Sequence, residues 1–88
     1  MERVVEAVEL FCSSLIPDDV KEGLDGDLFT VNSVSMKESL SIEISSPFRK
    51  VRGIIIGRRG KNIQAIRHLI RVIGYQEKFT IISVAVVE

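Results

Sequence analysis

The sequence predicts an α+β domain: a three-stranded mixed sheet with helices packed on one face. Three observations lead there. Apolar residues recur at helical spacing in two separate stretches, residues 4–15 and 63–73. Leu40-Ser41-Ile42-Glu43-Ile44 alternates with period two, and a β-rich run closes the chain from Phe79 to Val87. Between those two strands lie two helical segments, a crossover long enough for parallel pairing. The predicted order is helix, strand, strand, helix, helix, strand. With 88 residues there is room for one domain, residues 1–88, with a small core.

Each element has its own signal. Val4, Val5, Val8, Phe11, Cys12 and Leu15 make one apolar stripe of an amphipathic helix. Glu2, Glu6 and Glu9 fall elsewhere on its surface, and Glu2 and Glu6 suit the positive N-terminal end. Pro17 ends the helix. Residues 17–27 (PDDVKEGLDGD) read as turn chemistry, with Val20 and Leu24 as anchors of a short strand or turn. A strand follows from Leu28 to Met36, with Phe29 and Val31 in one phase and Val34 and Met36 in the other. A bulge near Asn32-Ser33 reconciles the two phases. The polar connector Lys37-Glu38 is so short that this strand and Leu40–Ile44 must pair antiparallel.

Ser46-Pro47 reads as an N-cap followed by proline at the first helical position. The short helix after it runs towards Ile56, with Val51, Ile54 and Ile55 inward and Arg49, Lys50 and Arg52 outward. The next helix runs from Lys61 to Ile73, with Ile63, Ile66, Ile70 and Ile73 inward, Arg67 and Arg71 on another side, and Gly74 as its stop. The last strand is apolar on both faces. If Ile82, Val84 and Val86 occupy the uncovered face of the sheet, a partner must cover them or an apolar patch is exposed.

Net charge is zero, but its distribution is not uniform. Residues 1–43 carry ten acidic and three basic side chains, a net of −7; residues 44–88 carry nine basic and two acidic, a net of +7. No Asp or Glu occurs between Ile44 and Gln76, where eight Lys or Arg fall. Such asymmetry suggests one face that meets a polyanion. The single cysteine, Cys12, excludes an internal disulfide and reads as a small buried side chain. No apolar run approaches the roughly 20 residues of a membrane span, and the start lacks a basic-then-apolar leader, so a cytoplasmic protein is expected.

The most informative stretch is Ile54 to Ile70, IIIGRRGKNIQAIRHLI. Glycines at both ends of the tetrad Gly57-Arg58-Arg59-Gly60 let the backbone pass close to something bulky. N–H groups at the start of the following helix attract anions, and Arg58, Arg59 and Lys61 put positive charge at the same corner. The ligand such a corner suits is a phosphate. It is not a P-loop, because Gly60-Lys61 is followed by Asn62 and the position five before Gly60 is Ile55. His68 is the only histidine, without a Cys or acidic partner nearby in sequence, and no spaced carboxylate pair suggests acid–base work. The expectation is a non-enzyme without catalytic residues, metal or cofactor.

Ile55-Ile56-Gly57-Arg58-Arg59-Gly60-Lys61-Asn62-Ile63-Gln64-Ala65-Ile66 resembles the I-I-G-x-x-G-x-x-I-x-x-I core of the KH domain, whose GXXG loop clamps the backbone of about four nucleotides. The element order resembles the bacterial, type II arrangement of that fold, α-β-β-α-α-β. Size and the N-terminal helix ending near Pro17-Asp18-Asp19-Val20 are similar to small stand-alone KH proteins of the KhpA type. The chain departs from that group at Ile54, where a basic residue usually follows the glycine matching Gly53. The resemblance implies binding of single-stranded RNA, or single-stranded DNA, in a groove. One wall is the two helices with the turn; the other is Leu40–Ile44, with the connector near Lys37. Contacts would come from Gly57, Arg58, Arg59, Gly60 and Lys61, with Arg52 beside them and Ile55, Ile56 and Ile63 as an aliphatic floor. The N–H groups of Arg58 to Lys61 would hold phosphates. None of the five aromatics lies in the motif, so stacking platforms are not expected, and affinity should be weak with modest base preference. The resemblance also implies a homodimer or a KH-containing protein partner, and post-transcriptional control linked to cell elongation and division. The rival reading is a KH-like protein-interaction module with little RNA binding of its own.

Overall fold

The computed structural model describes residues 2–24 and 26–88, and of Glu2 the backbone alone. The placing of Glu2 at the helix start and the turn residue Asp25 therefore lie outside the described parts. The elements are α1 (Glu2–Leu15), α2 (Asp18–Gly23), β1 (Thr30–Met36), β2 (Ser39–Ser45), α3 (Arg49–Ile56), a 3-10 turn (Arg58–Gly60), α4 (Lys61–Gln76) and β3 (Ile81–Val87). The fold is α+β with a three-stranded mixed sheet, as expected, but a short helix, α2, precedes the first strand where the sequence predicts turn chemistry. In α2, Asp18 and Asp19 sit in the first turn, where carboxylates favour the helix dipole, and Val20 is buried. The same aspartates are common turn formers, and six residues are too few to display a helical period.

β2 is the central strand, antiparallel to β1 and parallel to β3. Its Leu40, Ile42 and Ile44 are fully buried while Ser41 and Glu43 are exposed, so one face is covered and the other is open. On the covered face α1 packs on β1, α3 and α4 pack on β3, and α1 contacts α3 and α4. The core is filled mainly by Val4, Val8 and Cys12 of α1, Val51 and Ile55 of α3, and Ile63, Ile66 and Ile70 of α4. No described helix is long and apolar enough to cross a membrane.

Register settles several expectations. The β1–β2 ladder is continuous from Thr30↔Ser45 to Met36↔Ser39, without a bulge. The mixed phase of β1 arises instead because Val34 and Met36 face outward on the open side, 61% and 69% exposed. Ile82, Val84 and Val86 pair beside Leu40, Ile42 and Ile44 and therefore face the helices. The open face carries Ile81, Ser83 and Ala85 instead, with hydroxyl pairs Ser41–Ser83 and Thr30–Ser45 bridging strands at 3.0 and 2.7 Å. An apolar patch remains at one end, where Val34, Met36 and Ile81 are all exposed.

Two helix boundaries also move. α3 begins at Arg49 with Phe48 as its cap residue, so Ser46-Pro47 is not the start of the helix. Ser46 is buried; its hydroxyl donates to the Leu28 carbonyl and accepts the Phe48 N–H at 3.1 Å, turning the chain out of β2. Gly74 lies inside α4 rather than beyond it. It faces Ile82, and a Cβ there would collide with that side chain, so the glycine lets helix and strand approach. The helix ends at Gln76 and is closed by Lys78, left-handed with φ 70°, where Phe79 N–H returns to the Gly74 carbonyl and Lys78 N–H to that of Tyr75.

Cys12 has no exposed surface, and burial raises its thiol from an ordinary 9.0 to about 11. The folded state then holds this proton more tightly than the unfolded chain. Any stability tied to it is complete below pH 9 and is lost as pH rises towards about 11. A disulfide reagent at pH 8 should label Cys12 no faster than the protein unfolds. Fast labelling of the native chain would contradict this burial.

Candidate nucleic-acid interface

The turn between α3 and α4 is shaped by its glycines. Gly57 has φ 78° and ψ 169°, a conformation that is essentially restricted to glycine. Its N–H donates to the Gly53 carbonyl at 2.9 Å, the last bond of α3, and its own carbonyl accepts the Gly60 N–H at 3.0 Å. Arg59 (φ 58°, ψ 26°) and Gly60 (φ 73°, ψ 18°) are both left-handed, and the Lys61 N–H bonds the Arg58 carbonyl as α4 begins. The N–H groups of Gly60 and Lys61 are therefore used within the turn, contrary to the expectation that they face a ligand. Those of Arg58 and Arg59 take no backbone partner among the described residues. Two adjacent free donors, flanked by exposed guanidinium groups, form an anion corner.

Asn62, which the sequence reading passed over, holds the turn closed. Its Nδ2 donates to the Ile54 carbonyl at 2.8 Å, satisfying one of the orphan acceptors at the end of α3. The side chain lies so close over Gly57 that a Cβ there would sit 2.7 Å from Asn62 Cγ. Gly57 is thus required both by its dihedrals and by this contact. The only sequence signal was a lone amide between the basic turn and an apolar stripe. Asn62→Ala should cost about 1–3 kcal/mol, because the Ile54 carbonyl loses its partner. Urea unfolding measures this; a loss below 0.5 kcal/mol would show that the contact is dispensable.

The second wall differs from the expected one. Leu40, Ile42 and Ile44 lie beneath the helices, so the central strand β2 cannot line a groove beside the turn. The edge strand β3 occupies that place. α4 runs back along it: Gly74 lies against Ile82, and Arg67, two turns earlier, donates from Nη2 to the Val84 carbonyl at 3.4 Å. Arg67, Arg71, Ile82, Ser83 and Val84 line a groove with one basic wall and one edge-strand wall. The direction of α4 places the Gly57–Gly60 turn towards the Val86 end of this groove.

The remaining site candidates separate. Arg58, Arg59 and Lys61 are exposed, and none has a carboxylate partner among the described residues. Arg52 is engaged elsewhere: Nη1 donates to the Ser46 carbonyl at 2.6 Å, and Nη2 lies 3.8 Å from the Glu88 carboxylate. Ile56 is 38% exposed at the edge of the turn, whereas Ile55 has no exposed surface and serves the core. Ile63 is buried beneath Gly60 and supports it from below. The structure therefore gathers Gly57 to Lys61 and Ile56 at one corner, sets Arg67 and Arg71 in a groove further along α4, and leaves Ile55 and Arg52 to structural contacts. Comparison with protein-family models, with curated proteins and with solved structures gave no match to this chain.

Proposed function

We propose that this chain is a KH domain of the type II arrangement, with α2 as an addition before the first strand, and that it binds single-stranded RNA. The observation that carries the reading is the Gly57–Gly60 turn. It presents two free N–H donors and two exposed arginines just before α4, the helix whose Arg67 and Arg71 line the basic groove further along. The β2–α3–turn–α4–β3 unit with its parallel pairing supports the same reading. Phosphates bind at Arg58 and Arg59, with Lys61 adding charge. The strand then follows α4 past Arg67 and Arg71, with bases over Ile56 and against the edge of β3. Such a protein acts in the cytoplasm in post-transcriptional regulation or as an RNA chaperone, and single-stranded DNA is an alternative ligand of the same groove.

A second reading rests on one observation. Val34, Met36 and Ile81 form an apolar patch on the open sheet face, which a homodimer or a KH-containing partner would cover. The two readings are compatible and differ on which surface carries the main activity.

The test is titration of a mixed pool of short single-stranded RNAs at several salt concentrations. About three phosphate contacts predict a slope near −2 in log K against log salt, at roughly −0.7 per contact. Binding that ignores salt, or no binding at low salt, would overturn the RNA reading and leave the protein-interaction module.

A further inference from the structure

The acidic half of the molecule holds a groove that the RNA reading does not use. The core stripe of α1, through Val4, Val8 and Cys12, leaves Glu6, Glu9, Leu10 and Ser13 on another side, at i, i+3, i+4 and i+7. Leu10 is 74% exposed, more than any other large apolar side chain described. A single exposed leucine is ordinary. This one lies in a hollow of about 520 Å3 whose other apolar wall is Phe29, with the carboxylates of Glu6 and Glu9 at the rim. Neither carboxylate pairs with a Lys or Arg among the described residues, and no basic residue lines the hollow. Phe29 also borders a second hollow lined by Asp27, so a further carboxylate lies beyond the first; Glu88, which also lines it, is paired with Arg52.

The chemistry of an occupant follows. Polyanions are repelled. A purely cationic ligand would leave Leu10 and Phe29 wet, and a purely apolar one would desolvate the rim carboxylates. Both costs vanish for a segment that places an apolar side chain between two cations. We propose that this groove docks a short basic, amphipathic segment of another protein. Because it shares no residue with the basic groove along β3, segment and RNA can be held together. Charge complementarity steers the encounter, and burial of Leu10 supplies the specificity.

The test uses the full 15N-labelled chain and two acetylated peptides of equal positive charge: one of lysine and leucine in helical period, the other of lysine and glycine. Amide shifts at Glu6, Glu9, Leu10, Ser13 and Phe29 are expected with the first peptide. The second should bind about tenfold or more weakly, and Leu10→Ser should weaken the first peptide by a similar factor. Glu6→Gln with Glu9→Gln should weaken both peptides. Leu10 and the two glutamates are exposed, so these variants are expected to fold, which circular dichroism checks. Equal binding of the two peptides, indifference to Leu10→Ser, or shifts confined to the sheet face or the Gly57–Gly60 turn would overturn the proposal. So would shifts at these five positions on dilution of the peptide-free chain, which would assign the groove to a second copy.

Discussion

A chain carrying Arg58→Asp and Arg59→Asp is expected to bind short single-stranded RNA at least about a hundredfold more weakly than the natural chain, while melting at the same temperature or slightly higher. Each charge-assisted contact to a phosphate is worth about 1.5 kcal/mol or more, and two of them account for about a hundredfold. Reversing the sign adds repulsion at the same distance. Stability should move the other way. Both side chains are exposed and unpaired among the described residues, so no internal contact is lost. At φ 58° position 59 is left-handed, which aspartate tolerates better than arginine does. Two carboxylates just before α4 also favour its positive end. A destabilising mutation would lower melting temperature and binding together; here they should diverge. The salt slope should shrink by about 1.4, two contacts at roughly 0.7 each. Equal binding by the two proteins would remove RNA from this turn and direct attention to the apolar end of the sheet.

What could be read from the sequence follows a physical division. α1, β2 and α4 were legible because each buries one side and wets the other, so a period of 3.6 or 2 is written in their residues. β1 was legible as a strand but not in its phase, because the open face tolerates Val34 and Met36 in water, and those exposed residues imitate a phase change. The expectation that β2 forms the groove's second wall came with the family resemblance, not from a pattern in the strand itself. Yet β3 is the edge, and its outward Ile81 is simply exposed. The pairing itself was legible, since a two-residue connector forces β1 and β2 antiparallel and the two-helix crossover allows β2 and β3 to run parallel. Within the site, the tetrad was legible because glycine spacing reports backbone geometry. Which N–H groups stay free was not, since this depends on the bonds from Gly60 to Gly57 and from Lys61 to Arg58.

The run Ile54-Ile55-Ile56 sharpens this point, because three identical side chains have different fates. Ile55 points into the core with no exposed surface, and Ile56, one position on, is 38% exposed beside the turn. Ile55→Ala should cost about 2–5 kcal/mol, the transfer term plus an unfilled cavity between α3 and its neighbours. Domains of this size hold only about 5–15 kcal/mol in all, so the variant should unfold at markedly lower urea concentration. Its RNA affinity per folded molecule should be unchanged, since Ile55 reaches no ligand. Ile56→Ala should show the opposite pattern: a stability loss below about 1 kcal/mol, and an affinity loss of several-fold as a base loses its aliphatic seat. Measuring both variants by urea unfolding and by RNA titration separates core from floor. If Ile56→Ala leaves affinity intact, the bases do not lie over the end of α3. The strand must then be held by phosphate contacts and the edge of β3 alone.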